Sequence, residues 1–343
     1  MIANLQAHYG FSRMPFGTAV PAEALYASAA HKEAVARLRW LISARGLGAL
    51  TGEVGCGKTV AARAAVAGLD PSRHTLIYLP NPQIGVRGIH SAIAQALGQA
   101  PRFYHATLIP QVEAALAAEA EERNRHVLLA IDESHLLTGE QLEAVRMLTS
   151  HGMDYASPLT ILLIGQPTLR RRLRVGDMAA LDQRIALRYH IPAPALTPGE
   201  VDGYLRAHLA LAGRTDTLFS DDAVRAIHAH ARGLPRAINR LAINALLAAY
   251  TAGKTIADES AARTAIAEET ATDGPPPRHP SHRNPARHPA WRGSTCRHPD
   301  IVNVTFMDTV NGREHQGQGA DSARPRTPKP PPHKPLAVTD GCR

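Results

Sequence analysis

Four short runs in the first half of the chain are apolar almost without interruption: 47–50, 75–79, 126–131 and 160–165. Runs this short that do not alternate predict strands covered on both faces, as in a parallel sheet. Between them the spacing changes to a helical period. Residues 31–44 place Val35, Leu38, Leu41 and Ile42 on one face, and 86–97 do the same with Ile89, Ile93 and Leu97. A third helix is expected over 108–123, opened by Pro110, and a fourth over 138–150, with Thr138 as cap and Gln141 three residues on. His190 and Ile191 suggest a last short strand before Pro192 and Pro194. From Thr197 the strand pattern stops, and 197–212, 220–232, 234–250 and 258–269 read as helices. Ahead of all these, Tyr9, Gly10, Phe11, Met14, Pro15 and Phe16 predict an ordered arm packed on the main domain. The expected fold class is α/β, a doubly wound parallel sheet followed by a small all-helical lid. The expected divisions are an arm at 1–30, an α/β domain at 31–195, a lid at 196–272 and a tail at 273–343.

The first predicted strand runs into Gly52, Glu53, Val54, Gly55, Cys56, Gly57, Lys58 and Thr59, with Val60 beginning the next helix. This fits G-x-x-x-x-G-K-[ST], the phosphate-binding loop of nucleotide hydrolases. The glycines let successive backbone N–H groups turn inward as an anion nest, and the helix that follows adds the positive end of its dipole. Lys58 can reach the β- and γ-phosphates of ATP, and Thr59 can offer its hydroxyl to Mg²⁺. A second Gly-Lys-Thr at 253–255 has Ala248 where the first glycine belongs and is discounted. Asp132 and Glu133 follow the strand at 126–131, at the edge where open parallel sheets bind ligands. Asp132 is placed to hold Mg²⁺ through water, and Glu133 to polarise the attacking water. Gln166 ends the next strand and is a candidate to sense the γ-phosphate.

Charge narrows the picture less than its total suggests. The 343 residues carry a net +8. Residues 274–343 hold 11 Lys and Arg against 5 Asp and Glu, leaving 27 against 25 elsewhere. The same segment holds 13 of the 26 prolines and no sustained apolar period, so disorder is expected there. Histidines in it, among them His279, His282, His288 and His298, go with that composition rather than with a metal site. Three cysteines, Cys56, Cys296 and Cys342, are too few and too scattered for a disulfide framework. Cys56, inside the phosphate loop, could make it thiol-sensitive. With no signal-peptide pattern and no apolar run of about 18–20 residues, a reducing cytoplasmic protein without a membrane span is expected.

The set Gly52 to Thr59, Asp132, Glu133, Gln166 and then Gly233-Leu234-Pro235-Arg236 resembles AAA+ ATPases. More narrowly, it is similar to the ExeA/GspA-like branch that includes the TnsC/TniB-type helper ATPases of transposition. The aromatic arm, Leu50-Thr51-Gly52-Glu53-Val54-Gly55, Leu163-Ile164-Gly165-Gln166-Pro167 and Gln183-Arg184-Ile185 carry the narrower match, which covers residues 5–270. The resemblance implies that Arg236 is the sensor-2 arginine of the lid. It also implies that Arg184 or, in competition with it, Arg188 is an arginine finger for a neighbouring subunit. A finger acting in trans implies a self-assembled ring or filament. Gln166 stands where many of these proteins carry Asn.

The expected role is a helper that assembles on duplex DNA and recruits or activates a transposase; the alternative is an ATPase that assembles a secretion or envelope complex. The row Arg170, Arg171, Arg172 and Arg174 can contact DNA phosphates, form a solvated turn or line a subunit interface. No aromatic platform accompanies it, so backbone contacts without sequence reading are expected. A kinase or GTPase is disfavoured by the Asp-Glu pair, the lid arginine and the missing Asn-Lys-x-Asp motif.

Overall fold

The computed structural model describes residues 2–272 except 18, 19, 22, 23, 150–156 and 158. The tail and its histidines lie outside the described residues. In chain order the elements are α1 (Ile2–Tyr9), α2 (Ala29–Ala44), β1 (Leu47–Thr51), α3 (Lys58–Ala67), β2 (His74–Leu79) and α4 (Gly85–Ala96). Next come α5 (His105–Glu121), β3 (His126–Ile131), α6 (Gly139–Leu148), β4 (Leu159–Gly165), α7 (Pro167–Leu173), α8 (Ala179–Arg184) and β5 (Ile185–His190). Four helices close the described chain: α9 (Pro198–Leu211), α10 (Asp221–Ala231), α11 (Pro235–Thr251) and α12 (Glu259–Thr272).

The five strands are all parallel, in the order β2-β3-β4-β1-β5. The continuous apolar runs β1, β3 and β4 are the inner strands and are buried throughout. Two cores flank the sheet. Leu38, Leu41 and Ala61 of α2 and α3 pack on one face. Ile89, Leu108, Leu142 and Leu169 of α4, α5, α6 and α7 pack on the other. The sheet therefore lies between two helical layers, with the C-terminal ends of β1, β4 and β3 side by side.

Sequence patterning placed β5 too late. The strand starts at Ile185, straight from α8, and buries Ile185 and Leu187 while exposing Ala186 and Arg188. That alternation belongs to an edge strand, and no turn residues announce its start. α5 begins at His105, ahead of Pro110, because the N–H groups of Thr107 and Leu108 close on Tyr104 O. The Thr138 cap forms as expected: Gln141 N–H donates to Thr138 Oγ1 (3.2 Å) and Thr138 N–H to Gln141 Oε1 (2.8 Å). The second Gly-Lys-Thr is structural, with Lys254 Nζ donating to Asp258 Oδ2 at 2.6 Å.

The arm packs on the lid helices rather than on the α/β part. Leu5, Tyr9, Phe11 and Phe16 enter the apolar cluster built by α9, α10, α11 and α12. Tyr9 Oη donates to Leu246 O (3.0 Å) and Ser12 Oγ to Ala212 O (3.0 Å). Four short helices make a small core, and burying each arm side chain adds on the order of 1.5–3 kcal/mol to it. The turn into α11 is tight. Gly233 has φ +66°, and a Cβ there would lie 2.3 Å from Leu196 O and 2.5 Å from Pro194 Cβ. Gly233→Ala is expected to cost about 2–4 kcal/mol through left-handed strain and overpacking. A thermal melt reads this, and an unchanged Tm would count against it. Among the described residues no helix is long and apolar enough to cross a membrane.

Candidate active site

The phosphate loop leaves β1 and enters α3 through two left-handed glycines, Gly55 (φ 80°) and Gly57 (φ 96°). Lys58 is 9 % exposed, and its Nζ donates to Gly52 O (3.0 Å) and Glu53 O (2.9 Å). The ammonium is thereby folded across its own loop. Cys56 turns inward: a Cβ on Gly52 would lie 2.7 Å from its Sγ. Burial pushes the Cys56 thiol pKa up against the opposing pull of Lys58. Burial there favours the thiol over the thiolate, which works against thiol sensitivity of the loop.

Asp132 follows β3, two strands from β1, and is 6 % exposed. Thr59 Oγ1 donates to its Oδ2 at 2.7 Å, and Tyr78 Oη to the same oxygen at 2.9 Å. Glu133 N–H donates to Oδ1 at 2.8 Å. Tyr78 has its pKa raised by burial and by the Asp132 charge, so it stays a phenol and a donor. Glu133 has a left-handed backbone (φ 49°, ψ 32°) and a side chain that is 51 % exposed. His135 Nδ1 lies 3.3 Å from Glu133 Oε2. Gln166 follows β4, the strand between β1 and β3, and caps α7.

The helical part closes over the loop at one point. Arg236 N–H donates to Gly55 O at 3.3 Å, and a Cβ on Gly55 would lie 2.7 Å from Arg236 Cβ. The N-termini of α3 and α11 therefore both face the loop, and both dipoles favour an anion there. A cavity of about 570 Å³ joins Lys58, Thr59, Asp132, Glu133, Gln166 and Arg236, together with Val54, Gly55, Cys56, Gly57 and Val60. Aromatic rings line it as well. Phe16 stacks on His208 at 5.4 Å between ring centroids, and Tyr204 lies 4.6 Å from the same ring. Burial, then Arg13, pushes the His208 pKa down to about 4, so the ring is neutral.

Arg184 and Arg188 do not line this cavity. Arg184 is exposed at the end of α8 and makes two 3.4 Å contacts, to Thr149 O and Oγ1. Arg188 is paired with Asp182 at 3.0 Å and donates to Ile185 O. Tyr78, His135, Tyr204 and His208 went unnoticed in the sequence. Of these, only His135 carried a local signal, two residues after Glu133.

Residues 41–173 match the AAA domain family. The chain is 35% identical over 249 residues to general secretion pathway protein A of Aeromonas hydrophila, a match covering 71% of this chain and 45% of that protein. The chain thus spans about half the length of that relative. Among solved structures, the ORC2 protein of Aeropyrum pernix superposes with a TM-score of 0.56 at 20% identity, covering 74% of this chain and 71% of that one. Cdc6p of Pyrobaculum aerophilum gives 0.52 at 18%, covering 72% and 70%. At such identities these two speak for the fold alone. The chain carries an AAA domain on a P-loop nucleotide-hydrolase fold and is homologous to protein A of the general secretion pathway.

Proposed function

We propose that this chain is an ATPase that binds ATP with Mg²⁺ in the 570 Å³ cavity and works as a self-assembled oligomer. The observation that supports it most is the Thr59 hydroxyl 2.7 Å from the Asp132 carboxylate, beside a lysine folded over a glycine nest. Hydroxyl and carboxylate are hard oxygen donors, the set Mg²⁺ takes. Thr59 and Asp132 would hold the ion, which supplies neutralisation of phosphate charge. Lys58, the loop N–H groups and Arg236 bind the triphosphate, Gln166 orients, and Glu133 takes the proton of the attacking water. The aromatic lining made by Phe16, Tyr204 and His208 receives the base.

For the partner, the 35% identity to a general secretion pathway protein supports a role in assembling a secretion or envelope complex. A second reading, a helper on duplex DNA that recruits a transposase, is favoured by α7. Arg170 and Arg171, exposed on it, and Arg174, exposed just after it, line a 240 Å³ groove with Glu53 and His190. The test is the rate of ATP hydrolysis with and without duplex DNA. The ATPase reading expects Mg²⁺-dependent turnover. The DNA reading expects stimulation that falls steeply between about 50 and 200 mM salt and disappears when the three arginines become alanine. A rate indifferent to DNA leaves the assembly role as the supported one.

A further inference from the structure

We infer that His135 positions Glu133, and that Arg172 of α7 fixes His135 in turn. The inference rests on reading Glu133 as the general base. Glu133 has a fixed backbone and a loose side chain. Its left-handed conformation is one that non-glycine residues adopt only when their surroundings enforce it. The enforcing contacts are close by: Ser134 Oγ donates to Ile131 O (2.7 Å) and Leu136 N–H to Glu133 O (2.9 Å). The carboxylate itself is half-exposed, so its direction depends on whatever stands beside it.

His135 stands there. Its side chain is 13 % exposed, and Nδ1 is buried without an aligned hydrogen bond. The Glu133 carboxylate, 3.3 Å away, is the acidic group within ion-pair reach of this nitrogen among the described residues. A buried ring nitrogen in that position is satisfied when the carboxylate swings onto it. The main chain of His135 is held: Arg172 Nη1 donates to His135 O at 2.7 Å, and a Cβ on Gly165 would lie 3.2 Å from His135 N, so α7 and β4 clamp the backbone that carries this mostly buried ring on both sides. Arg172 shares its seven-residue helix with Arg170 and Arg171, so that basic surface is one hydrogen bond from the residue that aims the base.

The experiment compares kcat, KM and affinity for a non-hydrolysable ATP analogue in wild type, His135→Ala, His135→Asn, His135→Gln and Arg172→Ala. His135→Ala is expected to lower kcat about tenfold or more, part of the 10²–10⁴ that a positioned base contributes, with KM and analogue affinity unchanged. Asn places its amide nitrogen where Nδ1 was and is expected to restore most of the rate. Gln reaches to the place of Nε2 and is expected to restore little. Arg172→Ala should lower kcat in the same direction by less. Wild-type kcat in His135→Ala, equal rescue by Asn and Gln, or a matching loss of analogue affinity would overturn the inference. Should His135→Ala fail to fold in a thermal melt, the Asn and Gln pair decides. A wild-type protein without turnover, or an active Glu133→Gln, would instead overturn the ATPase reading or the choice of base.

Discussion

Glu133→Gln is expected to bind ATP as wild type does and to lose about 10²–10⁴-fold in kcat, the share a positioned general base contributes. The substitution is nearly isosteric and leaves the loop intact. Lys58 still folds over Gly52 and Glu53, and Thr59 still donates to Asp132. The carboxylate that accepts a proton is what disappears. Turnover should fall while analogue binding stays, and the ATP-bound assembly should persist in size-exclusion chromatography. Lys58→Ala is the contrasting control, with the triphosphate's own cation removed and nucleotide binding lost. A Glu133→Gln protein that turns over within about threefold of wild type, far short of the loss a base implies, would place the base elsewhere.

What patterning could reach is set by burial. β3 and β4 are buried on both faces, so their sequences are apolar almost throughout, broken only by His126 and Thr160, and their limits were legible to within a residue. β5 is half-exposed at an edge, and its alternation was hidden against α8. The phosphate loop and Asp132-Glu133 were legible because each position is fixed by chemistry at short range. Tyr78 was not, since its contact to Asp132 joins residues 54 apart in sequence through the pairing of β2 with β3. The arm was read as ordered from Tyr9, Phe11 and Phe16, but not its place. Aromatic residues announce burial without naming the surface that buries them, and here that surface comes from helices some 200 residues later.

Arg184→Ala is expected to leave nucleotide binding intact and to lower kcat by about 10³–10⁵-fold, the range for an arginine finger. Arg188→Ala should cost far less. Arg188 is committed to Asp182 and to Ile185 O, so bringing it to another subunit's phosphate would abandon a charge pair. Arg184 gives up two 3.4 Å contacts and is already exposed. It is also absent from the lining of its own cavity, which favours a role at the site of another copy. Mixing separates this from an effect within one chain. Glu133→Gln keeps the finger and lacks the base, while Arg184→Ala keeps the base and lacks the finger. In a mixed assembly, an Arg184→Ala site that faces a Glu133→Gln neighbour has both groups, so two inactive proteins should regain ATP hydrolysis when combined. A mixture as inactive as its parts would mean that Arg184 does not act across the interface.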